Sequence, residues 1–310
     1  MIPLAWVVVA GVGLVTLTQT VGYDGFRFVA TLQSLTPYLG AVVAAPAVLA
    51  AWRSWHAMGL VSASIGIALL LLAVPLVVPP DQPSPVDGAD GMRIAAVNLL
   101  FSNDRTSEVA DVLATLDLDV IVFSEFTAEH QAVLSDHELA DRFPHRIDRD
   151  GLFAGGVAVW SRHRLVPDEP PATVNYSIDA RVDGPDGVVR VLAVHPPTPI
   201  YDFDTWRGDI ELIGDAADSG RDLPTLVIGD FNASYWHPVF RRLLRRGWTD
   251  AHMANGRGWS TSWPTDRAFP PFIRLDHALT GKRLVSTDVE DFRVPGSDHA
   301  GLVVTVSPAR

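Results

Sequence analysis

Three long apolar runs fill the first quarter of the chain, at about residues 2–22, 35–52 and 57–79. Each approaches the roughly 20 residues that carry a helix across a bilayer. Trp6, Tyr23, Trp52 and Trp55 stand at or near the ends of these runs, where interfacial aromatics belong. Three transmembrane helices are therefore expected in residues 1–80, the second being the shortest and carrying Pro46. The competing reading, a buried helical hairpin, fits poorly with this much apolar length without charge. The first run has no basic leading segment and no clear small-residue cleavage site, so it reads as an anchor rather than a signal peptide.

After a Pro/Asp-rich linker at 81–91, the pattern changes to short apolar strands and amphipathic helices over 92–310. Met92–Asn98 and Asp119–Glu125 read as strands with polar termini, and Gly155–Ser161 as a third core strand. Thr106 is placed to cap a helix whose Val109, Val112, Leu113 and Leu116 share one face. A strand, turn and strand over 181–194 make a hairpin whose second arm runs into His195. Trp206, Ile210, Ile213 and Ala217 mark a helix leading to the strand Leu226–Ile228, where Gly229 is expected to break the strand sharply. Pro238 opens a further helix that Gly247 closes. Late strands surround Leu275–Leu279 and Gly301–Val306.

Charge sharpens this division. The chain is acidic, with a formal charge of −12, yet residues 1–80 hold only Arg27, Arg53 and Asp24 as charged side chains. An acidic domain argues against a nucleic-acid surface that works by charge. The absence of cysteine excludes disulfides and thiolate metal sites. With the N-terminus inside the cell, Arg53 also falls inside, and the linker carries no Lys or Arg. The positive-inside rule then places the C-terminal domain outside the cytoplasm, provided all three runs cross.

The chemistry-bearing residues share one position. Asn98, Glu125, His195, Asp230 and Asn232 stand at the ends of apolar strands, and Asp298 and His299 stand just before the last strand. Strand termini at one sheet edge gather such groups into one pocket. Taken alone, Gly229-Asp230-Phe231-Asn232 is as well explained by an ordinary turn. As a set, several carboxylates in one pocket repel unless a cation sits between them. Oxygen ligands without cysteine suit Mg²⁺ better than Zn²⁺, and two histidines beside that ion suit proton transfer or donation to a phosphoryl oxygen.

In order along the chain, Asn98, Ser124-Glu125, His195-Pro196, Gly229-Asp230-Phe231-Asn232, Arg274-Leu275-Asp276-His277 and Ser297-Asp298-His299 resemble the motifs of the endonuclease/exonuclease/phosphatase superfamily. Deoxyribonuclease I, abasic-site endonucleases, neutral sphingomyelinases and inositol polyphosphate 5-phosphatases share that pattern. The resemblance covers about residues 92–306 and leaves the anchor aside. It implies an α/β fold, the four-layer αββα sandwich, here preceded by an all-α anchor, and Mg²⁺-dependent phosphoester hydrolysis with Mn²⁺ as a substitute. It further implies Glu125, Asn98 and Asp298 as metal-site residues. Asp230 would orient or deprotonate water, Asn232 would hold the phosphate, and His299 would bind the phosphoryl oxygen or move a proton with Asp276 orienting it. His195 would assist the leaving group and contact substrate.

Other residues carry no such support. His130, His137, His145, His163, His237 and His252 are expected to be structural or exposed. Arg241, Arg242, Arg245 and Arg246 form one helix face, expected to be solvated, with lipid headgroups or an anionic substrate as the alternative. Trp236, Trp259, Trp263 and Phe269–Phe272 suit either apolar substrate loops or packing. The leading functional reading is an anchored phosphohydrolase acting on a lipid-linked or cell-envelope phosphoester or pyrophosphate, with the bilayer as its partner. An extracytoplasmic nuclease is the second reading, and a non-catalytic membrane module the third.

Overall fold

The computed structural model describes residues 2–220 and 222–310. Its N-terminal segment is helical: α1 (Ile2–Val21), α2 (Arg27–Ser34), α3 (Thr36–Trp52) and α4 (His56–Val77). By length and composition, the helices over Pro3–Val21 and His56–Val77 can each cross a membrane. A third crossing requires α2 and α3, bent by 75°, to count together. Helix α3 has 17 residues, a rise of about 25 Å, somewhat short of the roughly 30 Å hydrocarbon core.

Helices α1, α3 and α4 pack as a bundle. Ala5, Val9, Ala50 and Met58 cluster at one end, and Val12, Val43 and Leu69 cluster further along. The other end meets the α/β domain. There the Arg241 guanidinium donates to Gln19 O (3.0 Å), Tyr38 Oη to Phe272 O (2.9 Å) and Tyr235 Oη to Leu72 O (2.9 Å). The end of α1, the start of α3 and the end of α4 thus lie on one side, the alternation that three antiparallel helices require.

Helix α2 was not foreseen. Ala30 is fully buried in a cluster with Trp206, Phe231 and Phe240 of the α/β domain, so α2 lies against that domain. The Gln33 amide donates to Thr18 Oγ1 (3.2 Å) and Tyr23 O (2.7 Å), which ties α2 back to α1.

The domain opens with β1 (Met92–Asn98), α5 (Thr106–Thr115), β2 (Val120–Ser124), α6 (Ala128–Asp136), β3 (His145–Arg149) and β4 (Val157–Ser161). There follow β5 (Leu165–Asp168), β6 (Ile178–Gly184), β7 (Gly187–Val194), α7 (Phe203–Ser219), β8 (Thr225–Asp230) and α8 (Pro238–Arg245). The chain ends with β9 (Thr249–Asp250), α9 (Ala251–Ala254), β10 (Asp276–Thr280), β11 (Leu284–Arg293) and β12 (Ala300–Pro308). Two six-stranded sheets result, in the orders β11-β12-β1-β2-β4-β3 and β5-β6-β7-β8-β10-β9.

The sheets face each other through Ile94, Val122 and Val159 on one side and Val191, Ile228 and Ala278 on the other. Val109 and Leu113 of α5 cover the outer face of the first sheet against Ile121 and Phe123. Trp206 and Ile210 of α7, with Phe240 of α8, cover the second against Leu192 and Val227. This is the expected αββα sandwich.

Two local expectations change. Thr106 begins α5 rather than capping it: the residue before the helix is Arg105, and Asn103 Oδ1 accepts from its N–H (2.9 Å). The linker forms no regular element but runs along the domain, with Val86 N bonded to Pro308 O (2.9 Å). The basic face of α8 is largely engaged: Arg241 is buried, and Arg242 pairs with Asp24 (3.0 Å) and Glu211 (3.1 Å). In composition a solvated stripe and a docking face look alike, because the partners come from α1, the α1–α2 turn and α7.

Candidate active site

Topology alone brings the strand-end residues together. Strands β1 and β2 are parallel, as are β7 and β8, so their C-terminal ends present Asn98, Glu125, His195 and Asp230 at one edge of the sandwich. Strand β10 runs antiparallel to β8 with Asp276 directly opposite Asp230. Strand β12 runs antiparallel to β1 and begins at Ala300, which delivers Asp298 and His299 to the same edge.

Gly229 does not end β8, which continues through Asp230. It sits at φ +143°, and a Cβ there would lie 2.1 Å from Val194 O. Glycine is needed for this close approach of parallel backbones, which also sets Asp230 beside His195. Glu125 and Asn232 adopt φ +56° and +48°, left-handed conformations that turn both side chains at the sheet edge.

The side chains form one connected set. Asn98 Nδ2 donates to Glu125 Oε1 (3.1 Å) and Asp230 Oδ2 (3.0 Å), joining the two sheets. Glu125 Oε2 accepts from Phe101 N (2.9 Å), and Asp230 Oδ1 from Asn232 N (2.7 Å). His299 Nδ1 bonds Asp276 Oδ2 at 2.8 Å, while its Nε2 lies 3.7 Å from Asp230 Oδ2. His195 Nε2 is also 3.7 Å from Asp230 Oδ2 and 3.4 Å from Asn232 Nδ2. Ser297 Oγ donates to Asn98 O (2.7 Å) and accepts from His299 N (3.0 Å), which locks β1 to the residues before β12.

Burial and charge set the protonation pattern. Burial by itself would lower the His299 imidazole, but the charges of Asp276 and Asp230 raise it to about 10, so it is an imidazolium at neutral pH. Burial pushes the Asp230 carboxyl up, against the pull of His299. Burial also pushes Asp276 up, but the charge and hydrogen bond of His299 outweigh it and leave Asp276 below the ordinary carboxylate range. The two carboxyls are thereby driven apart, one ionised against the imidazolium and the other a stronger base than usual.

A cleft of about 390 Å³ lies over this set, and Glu125, Asn232, Asp298 and His299 line it. Asn98, His195, Asp230 and Asp276 form the buried layer beneath. Asp230, Asp276 and His299 place one ligand atom each within 4.8 Å of one another. Asp276 and His299 bond each other, however, and both Asp230 oxygens already accept hydrogen bonds. The open donor is elsewhere. Asp298 Oδ2 accepts from Trp263 Nε1 (2.9 Å), while its buried Oδ1 has no hydrogen-bond partner. Glu125 faces the cleft, and each of its oxygens, though accepting one hydrogen bond from Asn98 Nδ2 or Phe101 N, keeps a lone pair for an ion. This all-oxygen donor set fits a hard divalent cation, and the orphaned Asp298 oxygen is an acceptor such an ion would satisfy.

Among the expected structural histidines, His237, His252 and His130 are buried, His137 and His163 pair with Asp111 and Asp119, and His145 lies on β3 with its residue exposed. Sequence reasoning missed Ser262, whose Oγ accepts from Asp276 N (3.3 Å), and gave Arg274 no role, although its guanidinium donates to Asp276 O (3.2 Å). It also missed Thr31 and Ser34 of α2 in the cleft wall. Arg274 stood in a quoted motif; the other three carried no signal.

A family model described as the Endonuclease/Exonuclease/phosphatase family matches residues 95–299. No curated protein matches the chain. Among solved structures, humanized D. rerio TDP2 with 14 mutations superposes with a TM-score of 0.58 at 14% identity, covering 70% of this chain and 98% of that one. The 3'-5' exonuclease NExo from Neisseria meningitidis gives 0.54 at 20% identity, and an AP endonuclease from Archaeoglobus fulgidus gives 0.54 at 16%. Each covers 69% of this chain and 98% of its own. At these identities the likeness is one of fold.

Proposed function

The chain belongs to the endonuclease/exonuclease/phosphatase family, whose members are divalent-metal-dependent phosphoester hydrolases, and we propose that it is a membrane-anchored, Mg²⁺-dependent enzyme cleaving a lipid-linked or cell-envelope phosphoester or pyrophosphate. The observation that carries the hydrolytic reading is the convergence of the Asp276–His299 pair, Asp230 and Asn98–Glu125 under one cleft.

Glu125, Asn98 and Asp298 would hold the ion. When bound, it supplies Lewis-acid charge to the phosphoryl oxygens, with Mn²⁺ as a workable substitute. The chain's own groups do the rest. His299, held by Asp276, presents a charged Nε2–H to a phosphoryl oxygen and stabilises the charge that develops there. Asp230, the carboxyl made more basic by burial, orients the attacking water and accepts its proton. Asn232 lines the cleft with its amide N–H groups directed at Pro196 O (3.0 Å) and His195 Nε2 (3.4 Å), and the longer of the two contacts would be exchanged for a phosphate oxygen. His195, buried beside Asn232 and Asp230, supplies a proton toward the leaving oxygen. Water oxygen joins phosphorus, the ester P–O bond breaks, and the proton taken from water is balanced by the one given to the leaving group.

Two observations support a membrane substrate with one or two phosphates over a polyanion. No Lys or Arg is among the described residues lining the cleft, so a polyanion finds little to replace its counterions. The domain is also bonded to the ends of the apolar helices, which keeps the cleft near the headgroup plane and raises the effective concentration of a membrane substrate. The nuclease reading draws on the exonuclease and endonuclease among the structural neighbours. A phosphate-release screen of purified protein with Mg²⁺ decides between them. Turnover of a polyprenyl diphosphate or lipid phosphoester above DNA and nucleotides supports the lipid reading, and the reverse order overturns it.

The alternation of α1, α3 and α4, with Arg53 at the end away from the domain, supports an extracytoplasmic domain. A Ser84→Cys variant in this cysteine-free chain would be labelled by an impermeant maleimide on intact cells. Labelling only after lysis would place the domain in the cytoplasm.

A further inference from the structure

Helix α2 is too short to span anything and too well fixed to be a mere connector. Its Ala30 is fully buried among Trp206, Phe231 and Phe240, and its Ala30 carbonyl meets His237 Nε2 at 3.1 Å. Gln33 binds it to the end of α1, while Phe26 and Phe28 beside and on it remain 51% and 65% exposed. The helix therefore lies where the apolar bundle meets the domain, with aromatic side chains on its free face, as interfacial helices do.

Its inner face enters the catalytic cleft. Thr31 and Ser34 line the same cavity as Glu125, Asn232 and His299. Ile200 and Tyr201, on the loop after His195, also line it and are 54% and 87% exposed. Phe101, next to Glu125, contacts Phe153 edge to face with 5.9 Å between ring centroids, extending the apolar rim. The cleft thus has a polar, acidic floor and an outer part whose apolar wall is Phe101, Pro199, Ile200 and Tyr201, faced by the Thr31 and Ser34 side chains of α2.

We infer that α2 and the 198–201 loop form a subsite for the alkyl or polyprenyl chain of an amphiphilic phosphoester, so that the N-terminal segment selects the substrate as well as tethering the domain. This rests on the phosphohydrolase reading of the site. The occupant follows from continuity: the slot runs from the proposed phosphoryl site to α2, which is itself bonded to the end of α1. It holds no described Lys or Arg for the further phosphates of a nucleic acid. A chain leaving the phosphate along this slot buries methylenes at about a fourfold gain in affinity each.

The test uses the full-length protein in one detergent with Mg²⁺, titrated by calorimetry with decylphosphonate and methylphosphonate, neither of which can be hydrolysed. The wild type should bind decylphosphonate at least about tenfold more tightly, since burial of two methylenes suffices for that ratio. Thr31→Trp, filling the slot from α2, and Ile200→Ser, stripping the opposite wall of an exposed side chain that the fold does not need, should each shrink the ratio at least about threefold, comparable to losing one buried methylene. Detergent partitioning of decylphosphonate is common to all three proteins and cancels between them, and the wild-type ratio is taken from free ligand concentrations measured in protein-free detergent. Equal affinity for the two phosphonates in the wild type, or an unchanged ratio in both variants, overturns the subsite while leaving the phosphoryl site standing. Binding of neither phosphonate overturns the phosphohydrolase reading and the subsite with it. A short oligothymidylate that outcompetes decylphosphonate would replace the chain by a nucleic acid.

Discussion

Acidification should loosen the α/β domain from α2 through one side chain, His237. Its Nδ1 accepts from Ser234 N (2.8 Å) and its Nε2 meets Ala30 O (3.1 Å), so the buried ring is satisfied as the neutral Nε2–H tautomer. A second proton would fall on Nδ1, against an N–H. Burial, with a contribution from Arg241, pushes this imidazole down from 6.5 to about 4. The folded state therefore resists a proton that the unfolded chain takes up near 6.5. The stabilisation is fully present above that pH and is lost as pH falls toward 4. Between about pH 7.5 and pH 4.5 the loss amounts to about 2.5 kcal/mol. The assay is the midpoint of thermal unfolding in one detergent at both pH values, for wild type and His237→Gln. The variant should be less stable at the higher pH and should lose less on acidification. His130 and His252, also lowered by burial, titrate in both proteins and drop out of the comparison. Equal losses for the two proteins would refute the assignment of this proton to His237.

Other variants separate chemistry from folding. His299→Ala should cut turnover at least about 100-fold, the scale for losing a charged donor. Asp276→Asn should cut it less, because the ring stays in place. A larger loss for Asp276→Asn would mean that the carboxylate does more than hold His299. Gly229→Ala should destabilise the domain by about 3 kcal/mol or more, because its Cβ would stand 2.1 Å from Val194 O; a denaturant midpoint equal to wild type would contradict this. Arg241→Met should weaken the seat of α1 on α8, where the guanidinium meets Gln19 O and the carbonyls of Tyr235 and Trp236. Faster proteolysis at the α1–α2 turn would report it.

What the sequence makes legible here is whatever depends on period and position. Strands with apolar bodies and polar ends, such as Met92–Asn98 and Val120–Ser124, announce both the sheets and the residues the sheets converge on. The three apolar runs announce α1, α3 and α4. What stays hidden depends on contacts between distant segments. Helix α2 is eight residues between two apolar runs, and only the burial of Ala30 under Trp206 and Phe231 shows where it belongs. The burial of Arg241 follows from a carbonyl on α1 that composition cannot reveal. Gly229 reads as a strand end in sequence because the constraint on it, Val194 O, comes from the neighbouring strand. The orphaned Asp298 oxygen becomes visible only once Trp263 is seen to take the other one.

The central claim is that oxygen ligands at Glu125, Asn98 and Asp298 make this cleft a metal-dependent phosphoester hydrolase. The most direct measurement is hydrolysis of bis(p-nitrophenyl) phosphate by metal-stripped wild type and by Glu125→Ala, each with EDTA and then with excess Mg²⁺. The wild type should be silent in EDTA and recover with Mg²⁺, while Glu125→Ala, folded by its circular dichroism, should stay silent in both. Hydrolysis by either protein in EDTA, or full recovery of the variant with Mg²⁺, would contradict the account.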